Sequence, residues 1–304
     1  MPSQTPFARV ALPFAVATIL WGSTWYVIRD QLGVVPPTWS VAYRFFVASA
    51  AMFAWARLTG VSLRIGRDGH RFALLLGFTL FVLNFNFVYR AEAHITSGLV
   101  AVVFALLVVP NALLARVFLR QPMTGRFLLG SAIALAGVAL LILQEGRNDA
   151  SDGTNTALGV GLTLLGVLAA SVGNVMQGSA RAKAMPMAAM LGWSMLWGAW
   201  MNAGWAFATV GAPIVEPRLG YFVGILYLGI AASAIAFACY FAVIRAIGPG
   251  PAAYSSVLTP IIAMLLSTLF EDYRWTWLAA AGGATAMAGL LIALSARKPE
   301  AKSG

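Results

Sequence analysis

The sequence predicts an all-α membrane protein, a bundle of ten transmembrane helices arranged as two inverted five-helix repeats. Three observations predict this fold class. Hydrophobic residues make up 60% of the 304-residue chain and charged residues only 10%, with a mean hydropathy of +0.82, whereas a soluble domain carries roughly a quarter of charged residues. Apolar runs of about 20 residues, the length that crosses a bilayer core, follow one another along the whole chain. Short sequence matches also recur half a chain apart.

The first apolar run extends from Ala8 to Ile28. It is too long for the core of a signal peptide and is not followed by a small-residue cleavage site, so we interpret it as a membrane helix. Breaks at charges and at Gly/Pro clusters then give ten predicted spans, which are 8–28, 38–57, 72–91, 95–119, 126–144, 157–178, 187–209, 220–245, 251–270 and 274–295. The longest polar interval, Glu145–Thr156, separates the fifth helix from the sixth.

Basic residues at the helix ends and in the loops orient the predicted helices. With the amino terminus inside, fourteen of the 20 Lys and Arg residues fall on the cytoplasmic side. The positive-inside rule therefore predicts a multi-pass protein of the lipid bilayer with both termini in the cytoplasm. The net charge of +10 has the same explanation, and we expect no nucleic-acid partner because no soluble segment is large enough to carry such a site.

The two halves of the chain share small motifs at offsets of 150 to 152 residues. The matched positions are Gly22 with Gly173, Pro110 with Pro260, Leu119 with Leu269, and Gly130 and Gly137 with Gly282 and Gly289. Five helices per half is an odd number, so a tandem duplication enters the membrane in opposite orientations, as in many secondary transporters. We place the first repeat at residues 1–148 and the second at 149–304, with a substrate cavity between them lined by helices one, three, four, six, eight and nine.

Several motifs are similar to those of a known family. They are Trp21-Gly22-Ser23, Tyr43-Arg44-Phe45, the stretch "ITSGLVAVV" from Ile95 to Val103, Pro110 with Leu119, and the duplicated glycine pairs. With these motifs, nearly the whole chain resembles the ten-helix, EamA-type branch of the drug/metabolite transporter superfamily. The resemblance is strongest to bacterial exporters of aromatic and other neutral amino acids, which implies the bacterial inner membrane. One departure is the end of the fourth helix, which reads Leu119-Arg120-Gln121 in place of the usual Leu-Gly-Glu, whereas the second half keeps Glu271.

The titratable residues do not form a catalytic constellation. Neither His70 nor His94 has a cysteine or a spaced carboxylate nearby, Cys239 is the single cysteine, and no glycine-rich phosphate loop precedes a lysine. We therefore expect no enzyme activity, no cofactor and no metal. Every acidic residue falls in a loop or at a helix end, Glu92 and Glu271 included. A pathway without a fixed carboxylate favours a neutral or zwitterionic solute that moves down its gradient.

Aromatic and hydrogen-bonding residues supply the candidate substrate site. In the first helix, Trp21, Thr24 and Trp25 share a face, and in the sixth, Ser171, Asn174 and Gln177 are spaced three apart. Amides and hydroxyls suit the charged groups of an amino acid, and aromatic faces suit its ring. The full candidate set is Trp21, Thr24, Trp25, Asn86, Tyr89, His94, Ser171, Asn174, Gln177, Tyr240, Tyr254 and Ser255. The same residue types also hold neighbouring helices together or mark the membrane interface.

Three further features have structural or mechanical interpretations. Pro110 and Pro260 occupy equivalent points in the fourth and ninth helices, where they are either hinges for alternating access or static kinks. The repeated glycines allow close helix packing. Arg44, near a helix end, is interpreted as snorkelling to the interface or pairing with a terminal acid.

Together these features favour a secondary transporter that exports small neutral solutes, first of all aromatic and hydrophobic amino acids, by alternating access or facilitated exchange. Lipophilic drugs, nucleobases or other metabolites are alternative substrates. A channel-like pore or a membrane receptor is an alternative of another class. The alanine- and glycine-rich helix faces suit either a monomer or a homodimer.

Overall fold

The computed structural model describes residues 6–120, 123–148, 153–247, 252 and 255–295, whose ordered structure is helical throughout. The long helices of the first half, α1 to α5, are Pro6–Asp30, Pro37–Leu58, Gly66–Ala91, Ser97–Leu119 and Gly125–Asn148. Those of the second half, α6 to α10, are Thr154–Gly178, Met187–Val210, 219–247, Ser255–Phe270 and Trp277–Ser295. A single helical turn, Ala180–Lys183, lies between α6 and α7.

The helices have the length and composition of membrane helices. Within the described residues, six are long and apolar enough to cross a membrane, namely α1, α3, α4, α5, α6 and α8, and α9 and α10 contain shorter apolar stretches. The protein therefore has the fold of an all-helical membrane protein. A total of ten spans stays a prediction, since α2 and α7 are not among the six.

The helix boundaries differ from the prediction where a helix extends into polar sequence. Helix α3 begins at Gly66 rather than at residue 72, and its additional turn contains Arg67, Asp68 and Arg71, which are exposed. Helix α5 likewise continues to Asn148, inside the interval that hydropathy assigns to a loop. An exposed helical turn does not raise the local hydropathy, so apolar runs alone underestimate these helices.

Helices α3 and α8 are both interrupted by π-helical turns in their middle. The two π-helical segments are Gly77–Leu83 and Tyr227–Ile235, and their first residues are 150 positions apart. This spacing equals the offset between the sequence motifs. Because π-helical turns are rare and occur often at functional sites, their recurrence at this spacing supports a common origin of the two halves.

The pairing of helices follows the same pattern in the two halves. Helix α1 packs on α8 and α9, as α6 packs on α3 and α4. Helix α2 packs on α7 and on the π-helical segment of α8, and α7 packs in turn on the π-helical segment of α3. Each contact in one half therefore has a counterpart between the equivalent helices of the other half, where α1 is equivalent to α6, α2 to α7, α3 to α8 and α4 to α9. The pairing supports two related units, whereas their opposite orientation in the membrane and their limits at residues 148 and 149 stay predictions.

The glycines repeated in α5 and α10 lie where these two helices cross closely. A Cβ atom on Gly130 would overlap the backbone of Ala293, and one on Gly289 would overlap the backbone of Ala134. Further along the same two helices, a Cβ atom on Gly137 would overlap the backbone of Ala286 and Gly282, and one on Gly282 would overlap the backbone of Gly137. Their predicted role in close helix packing is confirmed, since a side chain at these positions would push the backbones apart.

Candidate transport cavity

A cavity lies inside the bundle between α1, α2, α3, α4, α6, α8 and α9. Its empty space is about 860 Å³, counted to its open mouth. The lining comes from the six helices that the sequence predicted, and α2 contributes in addition through Arg44. Half of the candidate residues line it, namely Trp21, Thr24, Trp25, Asn174, Tyr240 and Ser255.

Aromatic rings form one wall of the cavity. The ring centroid of Trp21 lies 4.8 Å from that of Tyr240 and 5.2 Å from that of Phe237, both in edge-to-face geometry. The indole Nε1 of Trp21 donates a 3.1 Å hydrogen bond to the carbonyl of Ala232. These contacts fix the indole against α8 and give the cavity a rigid apolar surface suited to a ring.

Trp25 continues this wall one helical turn further along α1. Its ring centroid lies 5.4 Å from that of Phe104 on α4. Its Nε1 is buried and has no hydrogen-bond partner within the described ranges. A buried N–H group without a partner is unfavourable, so Trp25 offers a donor that a bound solute can satisfy.

Arg44 is the one residue of α2 in the lining, and the sequence reasoning missed it. Its side chain is buried, with Nε donating a 2.9 Å hydrogen bond to Oγ of Ser233 and the guanidinium 4.5 Å from the ring centroid of Phe85. Its Nη1 has no hydrogen-bond partner in the part of the chain that the structure describes. The expectation that Arg44 snorkels to the interface is wrong, because α3 and α8 cover it. A buried cation with a free donor attracts an anionic group.

Hydroxyl and amide groups complete the lining of the cavity. Thr24 donates to the carbonyl of Trp21, one turn earlier on α1, at 2.8 Å, and Ser255 donates to the carbonyl of Ala252 at 3.1 Å. The Oδ1 of Asn84 and the Oγ1 of Thr259 are buried without a partner among the described residues. Asn84 was not among the candidates. A polar residue facing the same side as Leu80 and Val88 on α3 was the available signal for Asn84.

Asn86, Tyr89 and His94 lie outside the cavity. The amide of Asn86 accepts from Thr38 at 2.9 Å and donates to Asn202 at 2.6 Å, so it joins α3 to α2 and α7. Tyr89 is fully buried and donates to Oε1 of Gln31 at 3.2 Å. His94 lies in the turn after α3, with its Nδ1 3.3 Å from Oδ1 of Asn155. Their helical spacing was compatible with the cavity, but each faces a neighbouring helix or the end of the bundle.

The polar residues spaced three apart on α6 do not form a common wall. Only Asn174 lines the cavity, whereas Ser171 donates to the carbonyl of Val167 at 2.8 Å and Gln177 contacts Sδ of Met190 at 3.4 Å. With 3.6 residues per turn, each step of three falls about 60° short of a full turn, so the first and last residues point in directions about 120° apart. Tyr254, the remaining candidate, lies outside the described residues.

A buried acid lies next to the cavity. Glu92, in the turn after α3, is fully buried and neither of its carboxylate oxygens has a hydrogen-bond partner within the described residues. Burial raises the pKa of Glu92 well above its usual value; the negative charge of Glu271 raises it further, and the positive charges of Arg29 and Arg44 oppose this. The helix-end position of Glu92 is as predicted, but hydropathy did not reveal that neighbouring helices cover it.

Glu271 lies at the end of α9 and holds α4 in place. Its Oε2 accepts hydrogen bonds from the hydroxyls of Ser97 at 2.9 Å and Ser267 at 2.6 Å. Arg29 of α1 donates to the backbone carbonyl of Glu92 and, at 3.4 Å, to that of Ile95. Helices α1, α3, α4 and α9 are thus connected at this end of the cavity. Within the described residues, no three His, Cys, Asp or Glu side chains form a group that could hold a metal ion.

The two prolines named as hinges interrupt helices that line the cavity. Pro260 lies inside α9 and is itself part of the lining. Pro110 lies in α4, three residues after a 3₁₀ turn at Ala105–Leu107. Since proline lacks the N–H that would pair with the residue four positions earlier, both helices have a weakened backbone beside the cavity. Their role as hinges stays a prediction.

Comparison with known proteins agrees with this architecture. The model of the EamA-like transporter family matches the chain twice, at residues 9–143 and 157–295. A solved crystal structure that is 20% identical superposes with a TM-score of 0.71 over 93% of this chain and 95% of that chain.

Curated relatives cover most of the chain. The uncharacterized inner membrane transporter YedA of Escherichia coli is 29% identical over 82% of this chain and 79% of its own length. Protein PagO of Salmonella typhimurium is 23% identical over 87% and 84%. A probable terminal-alkyne amino-acid exporter of Streptantibioticus cattleyicolor is 26% identical over 94% and 93%. Because the family model matches nearly the whole chain, once in each half, the chain belongs to the EamA-like transporter family.

Proposed function

We propose that this protein is a secondary transporter that exports small neutral solutes, with aromatic and hydrophobic amino acids as its substrate class. The observation that carries the proposal is the presence in one cavity of a buried guanidinium, that of Arg44, and an aromatic wall built on Trp21. An aromatic amino acid has a carboxylate and a ring that match these two features. The name of the Streptantibioticus relative, an amino-acid exporter, points the same way.

Each part of such a solute has a matching group in the lining. The carboxylate pairs with the unsatisfied donor of Arg44, because a charge-assisted hydrogen bond compensates the desolvation of both ions. The ring packs against the edge-to-face cluster of Trp21, Phe237 and Tyr240. The ammonium group donates hydrogen bonds to hydroxyl and amide oxygens such as those of Asn84 and Thr259, which have no other partner within the described residues. The fixed positive charge of Arg44 repels solutes with an additional cation, such as lysine.

The transport cycle that we propose is alternating access by ten spans in two inverted units, 1–148 and 149–304, in the bacterial inner membrane with both termini cytoplasmic. The two matches to the family model, the paired π-helical segments and the repeated helix pairings support two units. Movement of one unit against the other bends the chain at the proline-bearing helices. Cysteine labelling tests the orientation: in right-side-out vesicles of a variant without Cys239, an impermeant maleimide should label a cysteine at Val215 and not one at Arg64.

Counterflow in proteoliposomes tests the function. Purified protein is reconstituted in vesicles preloaded with phenylalanine, tryptophan, threonine, lysine or glutamate, and entry of labelled phenylalanine is followed at clamped pH. Preloads of neutral and aromatic amino acids should accelerate entry, and lysine and glutamate should not. Lack of acceleration with every preload contradicts the amino-acid proposal, and uptake without any counterflow indicates a pore rather than a carrier.

Variants of two arginines connect transport to the cavity. Arg44→Gln should abolish acceleration by phenylalanine, since the carboxylate loses its partner, whereas Arg44→Lys should retain part of it. The matched control is Arg90→Gln, because the guanidinium of Arg90 lies 4.9 Å from the ring of Trp205 on α7 and Arg90 is not in the cavity lining. Equal activity of Arg44→Gln and Arg90→Gln would contradict the role of Arg44. Competition by drugs or nucleobases, without competition by amino acids, would indicate the alternative substrates.

A further inference from the structure

We propose that Glu92 is a proton-binding site linked to Arg44, so that a proton at Glu92 and a carboxylate solute at Arg44 bind together. This inference extends the proposed function, on which it rests for the identity of the solute. The ligand of the site is a proton, and its consequence is a transporter whose affinity for solute depends on pH.

The position of Glu92 follows from the helix that lines the cavity. Asn84, Val88 and Glu92 are four residues apart, so they continue along one face of α3, and the first two belong to the lining. Glu92 therefore lies one turn beyond the end of the cavity. It has no exposed surface, and both of its carboxylate oxygens lack a hydrogen-bond partner within the described residues. An ionised carboxylate in such a place is strongly disfavoured, and protonation relieves it.

The charged and titratable groups around Glu92 come from every helix that covers it. Burial raises its pKa most, the charge of Glu271 after α9 raises it further, and Arg29 of α1 and Arg44 of α2 lower it. Tyr89 lies one turn before it on α3. Two guanidinium groups make the site unsuitable for a metal cation, whereas the negative charge of Glu271 favours a proton at Glu92. A proton is thus the ligand that these groups accommodate.

Arg44 connects this site to the cavity. When Glu92 is ionised, its negative charge balances the guanidinium of Arg44 and weakens the attraction for an external anion. When Glu92 is protonated, the polar partners of Arg44 in this region are the neutral hydroxyls of Ser233 and Tyr89, and the buried cation requires an anion from the solute. Linkage is reciprocal, so binding of a carboxylate to Arg44 must in turn favour protonation of Glu92.

Calorimetry on the purified full-length protein measures this linkage. Phenylalanine is titrated at several pH values in two buffers that differ in ionisation enthalpy, which gives the number of protons taken up per solute. In the wild type we expect proton uptake, with an affinity that falls about tenfold per pH unit above the pKa of Glu92. Glu92→Gln should bind without proton uptake, at an affinity that no longer depends on pH. Asp68→Asn, which changes an exposed acid paired with Arg71, should behave as the wild type.

Two outcomes overturn the proposal in this experiment. One is a wild-type affinity that is independent of pH, and the other is a Glu92→Gln protein that keeps the pH dependence of the wild type. Failure of the wild type to bind any amino acid is a separate result, which overturns the proposed substrate class. The linkage between Glu92 and Arg44 is then tested without solute.

The solute-free test follows the infrared band of a protonated carboxyl group as a function of pH. The wild type should show a titrating band that Glu92→Gln lacks. Loss of the positive charge in Arg44→Gln should move the midpoint to higher pH, and Arg44→Lys, which keeps the charge and serves if Arg44→Gln does not fold, should leave it near the wild-type value. A band that persists in Glu92→Gln, or a midpoint that is the same in Arg44→Gln as in the wild type, overturns the proposal.

Discussion

The guanidinium of Arg44 on α2 is held by Ser233 on α8, through a 2.9 Å hydrogen bond from Nε to Oγ in which both side chains are buried. Ser233 belongs to the π-helical segment of α8, and so does Ala232, whose carbonyl accepts from the indole of Trp21. A π-helical turn departs from the regular α-helical hydrogen-bond pattern. The segment thus presents acceptors to the two residues that define the cavity, its cation and its main aromatic ring.

Ser233→Ala should weaken solute binding without changing the maximal exchange rate. Removing a neutral partner of a charged group costs about 1.5 to 3 kcal/mol, part of which appears as lost positioning of Arg44. We expect the half-saturating concentration of phenylalanine in counterflow to rise about fivefold to tenfold. Ser49→Ala is the control, because Ser49 is equally buried on α2 but donates to the carbonyl of Gly192, away from the cavity. An equal effect of both variants would mean that Ser233 has only a structural role.

Trp21→Ala should impair transport of aromatic solutes more than transport of threonine. Edge-to-face contacts contribute about 0.5 to 1.5 kcal/mol each beyond the area that they bury, which corresponds to about a tenfold change at the upper limit. The measurement is the half-saturating concentration of phenylalanine and of threonine in counterflow. Trp277→Ala is the control, since Trp277 is 92% exposed. A uniform loss for both solutes would show that Trp21 does not contact the ring.

Gly130→Ala should destabilise the protein, whereas Gly161→Ala should not. The new Cβ atom at position 130 would overlap the backbone of Ala293, which cannot move away as a flexible side chain would, and overpacking of this kind costs about 1 to 3 kcal/mol. No atom lies within 4 Å of a Cβ atom on Gly161, so alanine there gains about 0.5 to 1 kcal/mol of helix propensity. Thermal unfolding in detergent distinguishes the two, and an unchanged midpoint for Gly130→Ala would contradict the close crossing of α5 and α10.

The sequence was a better guide to the helices and to their small-residue contacts than to the cavity. Apolar runs, repeated motifs and glycine spacing are local properties, so they predicted α1 to α10 and the crossing at Gly130. The face that a polar residue presents depends on which helix covers it. Spacing therefore assigned Asn86 and Gln177 to the cavity, although each contacts a neighbouring helix instead. Arg44 and Glu92 were interpreted from their helix-end positions, and only the packing of α1, α3, α8 and α9 around them shows that both are buried.

The stability of the wild-type protein should decrease as the pH rises through the raised pKa of Glu92. The pKa of Glu92 in the folded protein is raised above the unfolded value of about 4.3, so at intermediate pH the folded state binds a proton that the unfolded state does not. The stability from this protonation is fully present below the unfolded pKa and is lost as the pH passes the folded pKa.

Glu92→Gln mimics the protonated side chain and should remove this dependence, making the variant more stable than the wild type at alkaline pH. Thermal unfolding midpoints in detergent between about pH 5 and pH 9 check the expectation, with Asp68→Asn as a control whose profile follows the wild type. If the wild-type midpoint rises with pH over this range, or if Glu92→Gln retains the wild-type slope, then Glu92 is ionised in the folded protein and the charges of Arg29 and Arg44 outweigh its burial.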